Sequence, residues 1–287
     1  MTWNIAGKQV LVTGGNSGIG KATAEELARR GAQVMITARD ATKGQAAAAD
    51  IHRSTGVEVE IGDLDLSRLE SVREFADTYV DEHDRLDILI NNAGAMAGAR
   101  QETPDGFEWT FGVNHLGPFL LTNLLTDLLV TSSPARIINV SSGAHRSAKN
   151  GLDFQDLQMT QGYASSKAYS ASKLANILFT VELDRRLRPS GVTVNALHPG
   201  VVATSFGTGQ EGPKWMGVLM TLGKYVFRKP SRGAETSVFL ASTDSDSLDG
   251  GIYWSDCEPE EPIAAATDSS DAAELWTLSE KLVSPQH

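Results

Sequence analysis

The chain has 287 residues, of which 41% are hydrophobic and 21% are charged, proportions that are ordinary for a folded globular protein. A net charge of −11, from 25 Lys and Arg against 36 Asp and Glu, disfavours binding to nucleic acid or to anionic membranes. A single cysteine, Cys257, excludes an internal disulfide, and six scattered histidines without an H-E-x-x-H pattern give no reason to expect a catalytic metal.

The sequence shows no targeting signal and no membrane span. The apolar run at 10–12 is far too short for the core of a signal peptide. The most apolar long segment, 116–130, is interrupted by Gly117, Pro118, Asn123 and Asp127, and it falls short of the roughly 20 apolar residues of a membrane helix. We therefore expect a cytoplasmic protein.

Short apolar runs alternate with amphipathic helical stretches along most of the chain. Runs that are apolar on both faces are typical of parallel strands between two helical layers, and they lie at 9–13, 33–37, 57–61, 86–90, 136–140, 192–197 and 251–254. Helices are predicted between them, for example at 21–30 and 69–82. The alternation predicts one α/β domain over 1–287, a Rossmann-type doubly wound fold with a seven-stranded, mainly parallel sheet and helices on both faces.

Three stretches depart from this alternation. Residues 143–162 are polar and irregular, which predicts a loop between a strand and the next helix. Residues 205–231 combine several glycines with the apolar run 215–220 and predict a substrate lid, with core packing as the alternative for those apolar residues. After 258 the chain becomes an acidic C-terminal tail.

The first strand leads into a glycine-rich loop, Thr13-Gly14-Gly15-Asn16-Ser17-Gly18-Ile19-Gly20, and an amphipathic helix follows. Glycines at such a turn let backbone N–H groups approach a pyrophosphate at the helix N-terminus. Many strand–helix turns need glycine for geometry alone, but the strand–loop–helix context favours dinucleotide binding.

The residues after the second strand bear on which dinucleotide binds. An acid there would hydrogen-bond the ribose 2′-OH of NAD, whereas an arginine would neutralise the extra phosphate of NADP. Ala38 is uncharged and Arg39 follows it, which favours NADP. Asp40 leaves two alternatives open, since it could be the acid that selects NAD or could cap the next helix.

A tyrosine and a lysine, Tyr169 and Lys173, are spaced to share one face of a helix. A lysine cation within reach of a phenol favours the phenolate, so a phenol with an ordinary pKa near 10 becomes a useful acid or base near neutrality. A surface Tyr–Lys pair is the alternative, and Tyr163 with Lys167 has the same spacing.

Taken together, these segments resemble the compact single-domain branch of the short-chain dehydrogenase/reductase family. The matching elements occur in the family's order over roughly 7–257 and are Thr13-Gly14-x-x-x-Gly18-x-Gly20, Asn91-Asn92-Ala93-Gly94, Asn114, Ser142, Tyr169-x-x-x-Lys173 and Pro199-Gly200. Runs similar to the retinol-dehydrogenase-like subgroup are Val113-Asn114-His115-Leu116-Gly117, Ser172-Lys173-Leu174-Ala175-Asn176 and Ser255-Asp256-Cys257.

The resemblance implies hydride transfer between NADP(H), with NAD as the alternative, and a lipophilic carbonyl or alcohol. Tyr169 would be the general acid or base, and Lys173 would hold the nicotinamide ribose and lower the pKa of the phenol. Ser142 would hydrogen-bond the reacting oxygen, and Asn114 would hold a water that links the lysine to solvent. A homo-oligomer, dimer or tetramer, is expected by family analogy.

The resemblance also implies a set of cofactor contacts. Those at the pyrophosphate are Gly14, Asn16, Ser17, Gly18, Ile19 and Gly20. Those along the adenosine half are Arg39, Asp65, Leu66, Asn92, Ala93 and Gly94. Those at the nicotinamide half are Tyr169, Lys173, Pro199, Gly200 and Thr204.

The chain departs from the family pattern in a long gap between Ser142 and Tyr169, in lacking the N-terminal membrane anchor of many vertebrate retinol dehydrogenases, and in its acidic tail. Alternative functions on related folds are an epimerase or dehydratase, a cofactor-sensing regulator without activity, and a methyltransferase. Regulators commonly lose the tyrosine or the lysine, and a methyltransferase would need neither, whereas this chain has both residues.

The two tyrosines are six positions apart, about 240° around an α-helix, so they are not expected to face one site. Tyr169 precedes the apolar-rich run 174–179, which predicts a helix packed firmly on the sheet. A catalytic side chain needs such a rigid support. The sequence therefore predicts Tyr169 as the catalytic residue.

Overall fold

The computed structural model describes residues 3–200, 228–244 and 248–285. Thr204 and residues 205–227 of the predicted lid lie outside these ranges.

The strands of the described residues form one sheet in the order β3-β2-β1-β4-β5-β6-β7-β8. Their bounds are β1 (Gln9–Val12), β2 (Gln33–Ala38), β3 (Glu60–Asp63), β4 (Ile88–Asn91), β5 (Ala135–Val140), β6 (Val192–Leu197), β7 (Tyr253–Ser255) and β8 (Glu258–Pro259). All neighbours pair in parallel except β7 and β8, which are antiparallel. The doubly wound α/β fold is confirmed, but the sheet has eight strands where seven were predicted. The strand β8 was not predicted because two residues that include a proline carry no periodic signal.

The helices lie on both faces of the sheet. Their bounds are α1 (Gly18–Arg29), α2 (Ala41–Thr55), α3 (Leu69–Glu82), α4 (Trp109–Phe111), α5 (Gly117–Leu124), α6 (Thr126–Thr131), α7 (Ser165–Leu187), α8 (Pro230–Ser242) and α9 (Ser269–Val283). A π-helical stretch, Gly112–Leu116, joins α4 to α5. In the described residues, no helix combines the length and the apolarity that crossing a bilayer would require.

Each face of the sheet has its own hydrophobic core. Alternate residues of a strand point to opposite faces, so Leu11 packs with α3, α5, α7 and α9, whereas Val10 and Val12 pack with α1, α2 and α8. The order of the strands reverses between β1 and β4, and such a switch point opens a crevice at the carboxyl ends of the strands. Most of the predicted cofactor contacts follow these carboxyl ends, whereas Asn114 lies in the π-helical stretch and Tyr169 and Lys173 lie on α7.

The segment after 258, predicted as an acidic tail, contains a helix of the core. Trp276 of α9 is 5% exposed, and its ring lies 5.0 Å from that of Phe119 and 5.9 Å from that of Phe179. The apolar residues Ala272, Leu275 and Trp276 are spaced as on one face of a helix. That periodicity was the signal that could have revealed α9.

Arg136 of β5 joins the central sheet to α8. Its guanidinium is buried, donates to the carbonyl oxygens of Leu240 at 2.5 Å and Thr243 at 2.6 Å, and stacks 3.8 Å from the ring centroid of Trp3. The carbonyl oxygens at a helix C-terminus have no partner within the helix, so this one side chain satisfies two of them.

We predict that Arg136→Met lowers the free energy of unfolding by about 2–4 kcal/mol, because one buried and one partly buried carbonyl oxygen lose a charged donor. Urea unfolding followed by circular dichroism measures this change. Arg53→Met is the control, since Arg53 is exposed on α2 and pairs with the surface residue Asp50, and it should change stability by less than about 0.5 kcal/mol. Equal effects of the two substitutions would contradict this role of Arg136.

Candidate active site

Close contact between the loops after β1 and β4 explains the glycine spacing. Gly14 and Gly18 have φ of +64° and +54°, the left-handed region that favours glycine. A Cβ on Gly20 would lie 2.4 Å from Nδ2 of Asn92 and 2.5 Å from the carbonyl oxygen of Gly14. The glycines therefore let the first turn of α1 approach the β4 loop.

Hydrogen bonds accepted by Thr13 fix the same two loops. Its hydroxyl oxygen accepts from the N–H groups of Asn92 and Ala93, at 3.0 Å each, and its carbonyl oxygen accepts from Nδ2 of Asn92 at 2.8 Å. Thr13 thus holds Asn92 and Ala93 beside the glycine-rich loop.

The N-terminus of α1 fits a pyrophosphate. The side chain of the N-cap residue Ser17 makes no capping hydrogen bond, and the first turn carries no acidic residue. Free N–H groups and the helix dipole favour an anion at such an end. Asn16, Ser17, Gly18 and Ile19 are all accessible there.

At the end of β2, Asp40 caps α2. Its carboxylate accepts from the backbone N–H of Lys43 at 3.1 Å, and this hydrogen bond lowers the pKa of Asp40. Of the two alternatives for Asp40, the structure therefore shows the helix cap. Arg39 lies exposed beside it.

Asp65, predicted near the adenine, and Leu66, predicted as a cofactor contact, differ in exposure. Asp65 is partly exposed, and its carboxylate accepts from the N–H of Ser67 at 3.0 Å and from its hydroxyl at 2.7 Å. The side chain of Leu66 is buried, and a Cβ on Gly117 would lie 2.5 Å from its carbonyl oxygen. Of this pair, only the Asp65 side chain is accessible to a ligand.

Asn114 lies fully buried in the π-helical stretch, an irregularity that is frequent at functional sites. Its Nδ2 donates to the carbonyl oxygen of Ala95 and to Oγ of Ser172, both at 2.9 Å, and its Oδ1 accepts from the N–H of Ala95 at 2.7 Å. Ser172 Oγ in turn donates to the carbonyl oxygen of Tyr169 at 2.8 Å. Asn114 thereby ties the β4 loop to the helix turn that carries Tyr169.

Lys173 is only 3% exposed, and its ammonium donates to the carbonyl oxygen of Val140 at 2.9 Å. Burial lowers its pKa to about 8. A Cβ on Gly94 would lie 3.2 Å from Nζ of Lys173 and 3.4 Å from Oδ1 of Asn114. Gly94, Lys173 and Asn114 therefore meet at one point, which explains the glycine at 94.

Tyr169 lies one turn before Lys173 on α7, with the ammonium 5.8 Å from its ring centroid. Burial raises the pKa of Tyr169 to about 12, although a hydrogen bond with Ser142 acts in the opposite direction. The family resemblance implied a lowered pKa for Tyr169. In this structure the effect of burial, which raises the pKa, is larger than the effect of the hydrogen bond with Ser142, which lowers it. Ser142 lies two residues after β5, and its hydroxyl oxygen also accepts from the N–H of Ala144 at 3.2 Å.

Tyr163 has a different position and different contacts from Tyr169. Because α7 begins at Ser165, Tyr163 precedes the helix, and its position relative to Tyr169 is not the 240° expected within one helix. Its hydroxyl donates to the carbonyl oxygen of Ala97 at 3.2 Å, and Lys167 is exposed. Burial raises the pKa of Tyr163 as well. Of the two Tyr-x-x-x-Lys pairs, only the one formed by Tyr169 and Lys173 has a buried lysine.

The turn at Pro199 and Gly200 follows β6 at the same edge of the sheet. Gly200 has φ of +74°, and a Cβ on it would lie 2.9 Å from Cζ of Arg228. Its N–H donates to Nδ1 of His198 at 3.1 Å. Both residues of the turn are partly exposed.

Sequence reasoning missed three hydroxyl groups that hold the predicted site residues. Thr13 and Ser172 act as described above, and Ser141 Oγ donates to the carbonyl oxygen of Lys173 at 2.7 Å. Each of these three residues immediately precedes a predicted site residue in the sequence, and this position could have indicated its supporting role.

Comparison with known proteins gives matches over most of the chain. The model of the short chain dehydrogenase family matches residues 8–213. Retinol dehydrogenase 14 of Homo sapiens is 46% identical, over 96% of this chain and 86% of its own.

Solved structures agree with the family match. The structure of an uncharacterized protein from Mycobacterium Paratuberculosis has a TM-score of 0.77 at 39% identity and covers 98% of this chain and 95% of its own. A metagenomic short-chain oxidoreductase in complex with NADP has a TM-score of 0.65 at 26% identity, with 86% and 96% covered. The chain therefore belongs to the short-chain dehydrogenase/reductase family, in its retinol-dehydrogenase-like subgroup.

Proposed function

We propose that this protein transfers a hydride between NADP(H) and a lipophilic carbonyl or alcohol, with Ser142, Tyr169, Lys173 and Asn114 as its catalytic groups. As a member of its family it is an NAD(P)-dependent oxidoreductase that acts on alcohols. The assignment of these four catalytic groups rests on one observation, that the segments carrying Asn114 and Ser142 meet the turn of α7 that carries Tyr169 and Lys173.

In the reduction direction, the phenol of Tyr169 would give its proton to the carbonyl oxygen. The phenol is protonated at neutral pH, as a proton donor must be, and the hydrogen bond with Ser142 opposes the rise in its pKa that burial causes. Ser142 would hydrogen-bond the same oxygen as charge develops on it. In alcohol oxidation the tyrosine oxygen would take the proton back. The dinucleotide supplies the hydride.

Lys173 would stabilise the charge left on Tyr169 after proton transfer. With a pKa of about 8, its ammonium is mostly protonated at neutral pH and can exchange a proton near it. Oδ1 of Asn114 has two lone pairs, of which the Ala95 N–H uses one, so the other can bind the predicted water.

NADP is favoured over NAD by the end of β2. Arg39 is exposed where a 2′-phosphate would lie, and the Asp40 carboxylate is engaged at the start of α2. The metagenomic relative was solved with NADP. The lipophilic substrate class rests on likeness to a protein named retinol dehydrogenase 14.

We predict that Tyr169→Phe abolishes turnover and leaves NADPH binding within about threefold, because only the proton donor is lost. Tyr163→Phe is the matched control and should change the rate less than about threefold, since its hydroxyl donates to a backbone carbonyl outside the site. NADPH oxidation with a panel of aldehydes and ketones measures both. An inactive Tyr163→Phe beside an active Tyr169→Phe would contradict the assignment.

The pH dependence of reduction should follow the lysine. Because burial lowers the pKa of Lys173 to about 8, kcat/KM should be level below that pH and fall above it, as the ammonium loses its proton. Lys167→Met, which removes the exposed lysine of the other pair, should leave the profile unchanged. A wild-type rate that stays level to pH 10 would refute this role of Lys173.

Cofactor choice should depend on Arg39. Arg39→Ala is expected to weaken NADPH binding by about 1.5–3 kcal/mol, the range for a hydrogen bond to a charged group, and to leave NADH binding unchanged. Isothermal titration calorimetry with both dinucleotides measures this. Equal losses for the two cofactors, or a wild-type preference for NADH, would reassign the selection to Asp40.

A further inference from the structure

Glu260, just beyond β8, contacts both chain segments that flank the site. Its carboxylate lies 2.8 Å from Nε2 of His198 and also accepts from the guanidinium of Arg146. Its own N–H donates to the carbonyl oxygen of Tyr253 at 2.8 Å, which fixes Glu260 to β7. His198 precedes the Pro199–Gly200 turn, and Arg146 belongs to the 3-10 turn Gly143–Ser147 that follows Ser142.

The contacts of His198 define its tautomer. The N–H of Gly200 points at Nδ1, so Nδ1 must carry a lone pair. The ring proton is therefore on Nε2, where it donates to Glu260. A carboxylate on one ring nitrogen thus fixes the other as an acceptor for the backbone, and a ring protonated on both nitrogens could not accept this N–H.

A second histidine, His145, contacts the backbone of Ser142 through its own Nδ1. His145 is fully buried, and its Nδ1 lies 2.8 Å from the carbonyl oxygen of Ser142. Because a carbonyl oxygen only accepts, this Nδ1 carries the proton. Burial lowers the pKa of His145 and so favours the neutral ring.

Tyr253 of β7 lies between the two histidines. Its hydroxyl is 3.3 Å from Nδ1 of His145, and its ring stacks on that of His198 with centroids 5.7 Å apart. The Ser142 segment and the Gly200 turn are therefore joined twice, once by the Tyr253 ring and once by the Glu260 carboxylate.

We propose that Glu260 is a positioning residue of the active site, which holds His198 in the tautomer that accepts from Gly200 and so sets the Pro199–Gly200 turn relative to Ser142. This proposal rests on the proposed function, because that turn contacts the nicotinamide half only if the protein binds the dinucleotide. Glu260 would touch neither substrate nor cofactor and would act through His198 and Arg146.

The first test measures the tautomer without substrate or cofactor. Long-range ¹H–¹⁵N correlation spectra of the full-length protein at pH 8 distinguish the two neutral histidine tautomers, and His198→Gln assigns the signal of His198. We expect the Nε2–H tautomer in the wild type and in Glu260→Gln, whose amide oxygen can still accept, and a mixture of tautomers in Glu260→Ala. An unchanged His198 signal in Glu260→Ala overturns the proposal.

The second test separates catalysis from binding. Glu260→Ala should lower kcat about ten- to a hundredfold, as expected for a misplaced site, while the Kd for NADPH changes less than about threefold. Glu260→Gln should keep at least about a third of the wild-type kcat. Glu261→Ala is the control, because that side chain is exposed and it is the backbone carbonyl of Glu261 that contacts Arg146, so its kcat should match the wild type.

These outcomes distinguish the proposal from the function on which it rests. Parallel losses of kcat and of NADPH affinity in Glu260→Ala, or the same loss in Glu261→Ala, would mean a general structural effect and overturn the proposal. A wild-type protein that binds no dinucleotide and reduces no carbonyl would instead refute the proposed function, and the tautomer measurement would still report on the contact between His198 and Glu260.

Discussion

A lysine ammonium that is 3% exposed needs a polar partner, because removing a cation from water costs several kcal/mol even after the protein relaxes. In this protein the partner of Lys173 is the carbonyl oxygen of Val140, at the carboxyl end of β5. The other site groups are placed by the contacts that surround this one. Ser141 anchors the backbone of the same lysine, Gly94 leaves room beside the ammonium, and Tyr169 lies one helical turn away.

The fold supplies these contacts because parallel strands bring their carboxyl ends to one edge of the sheet. The loop after β1 offers the N-terminus of α1 to an anion, and the β4 loop is held against it by Thr13. The segments after β5 and β6 bring Ser142 and the Pro199–Gly200 turn to the same edge, and the β7–β8 hairpin joins those two segments through Glu260. A residue outside the family motifs thus connects two of them.

The sequence predicted most of the fold, since parallel strands and amphipathic helices have strong periodic patterns. The candidate cofactor contacts could be chosen from the sequence because most of them follow predicted strand ends, and their assignment to a site stays a prediction. Other features depend on tertiary packing that no local pattern encodes. Burial determines the direction in which the pKa of Tyr169 shifts. Packing also buries the side chain of Leu66, so that it is not accessible to a ligand. The helical angle expected between Tyr163 and Tyr169 was wrong, because Tyr163 precedes α7 and the start of that helix at Ser165 could not be located to the residue. The core helix α9 was missed because the acidic residues around Glu258 and Glu260 suggested a solvated tail, although the apolar spacing within α9 is regular.

The buried ammonium of Lys173 organises this site, and the pH at which that ammonium loses its proton shows whether it is buried. Lysine labelled with ¹³C and ¹⁵N allows the side-chain signal of each lysine to be followed from pH 6 to pH 11, and the spectrum of Lys173→Met assigns the signal of interest. Because burial lowers its pKa, the midpoint for Lys173 should lie at about 8, well below the ordinary lysine value near 10.4. A midpoint at the ordinary value would mean that the ammonium is hydrated, and it would contradict the claim that a buried charge organises the site.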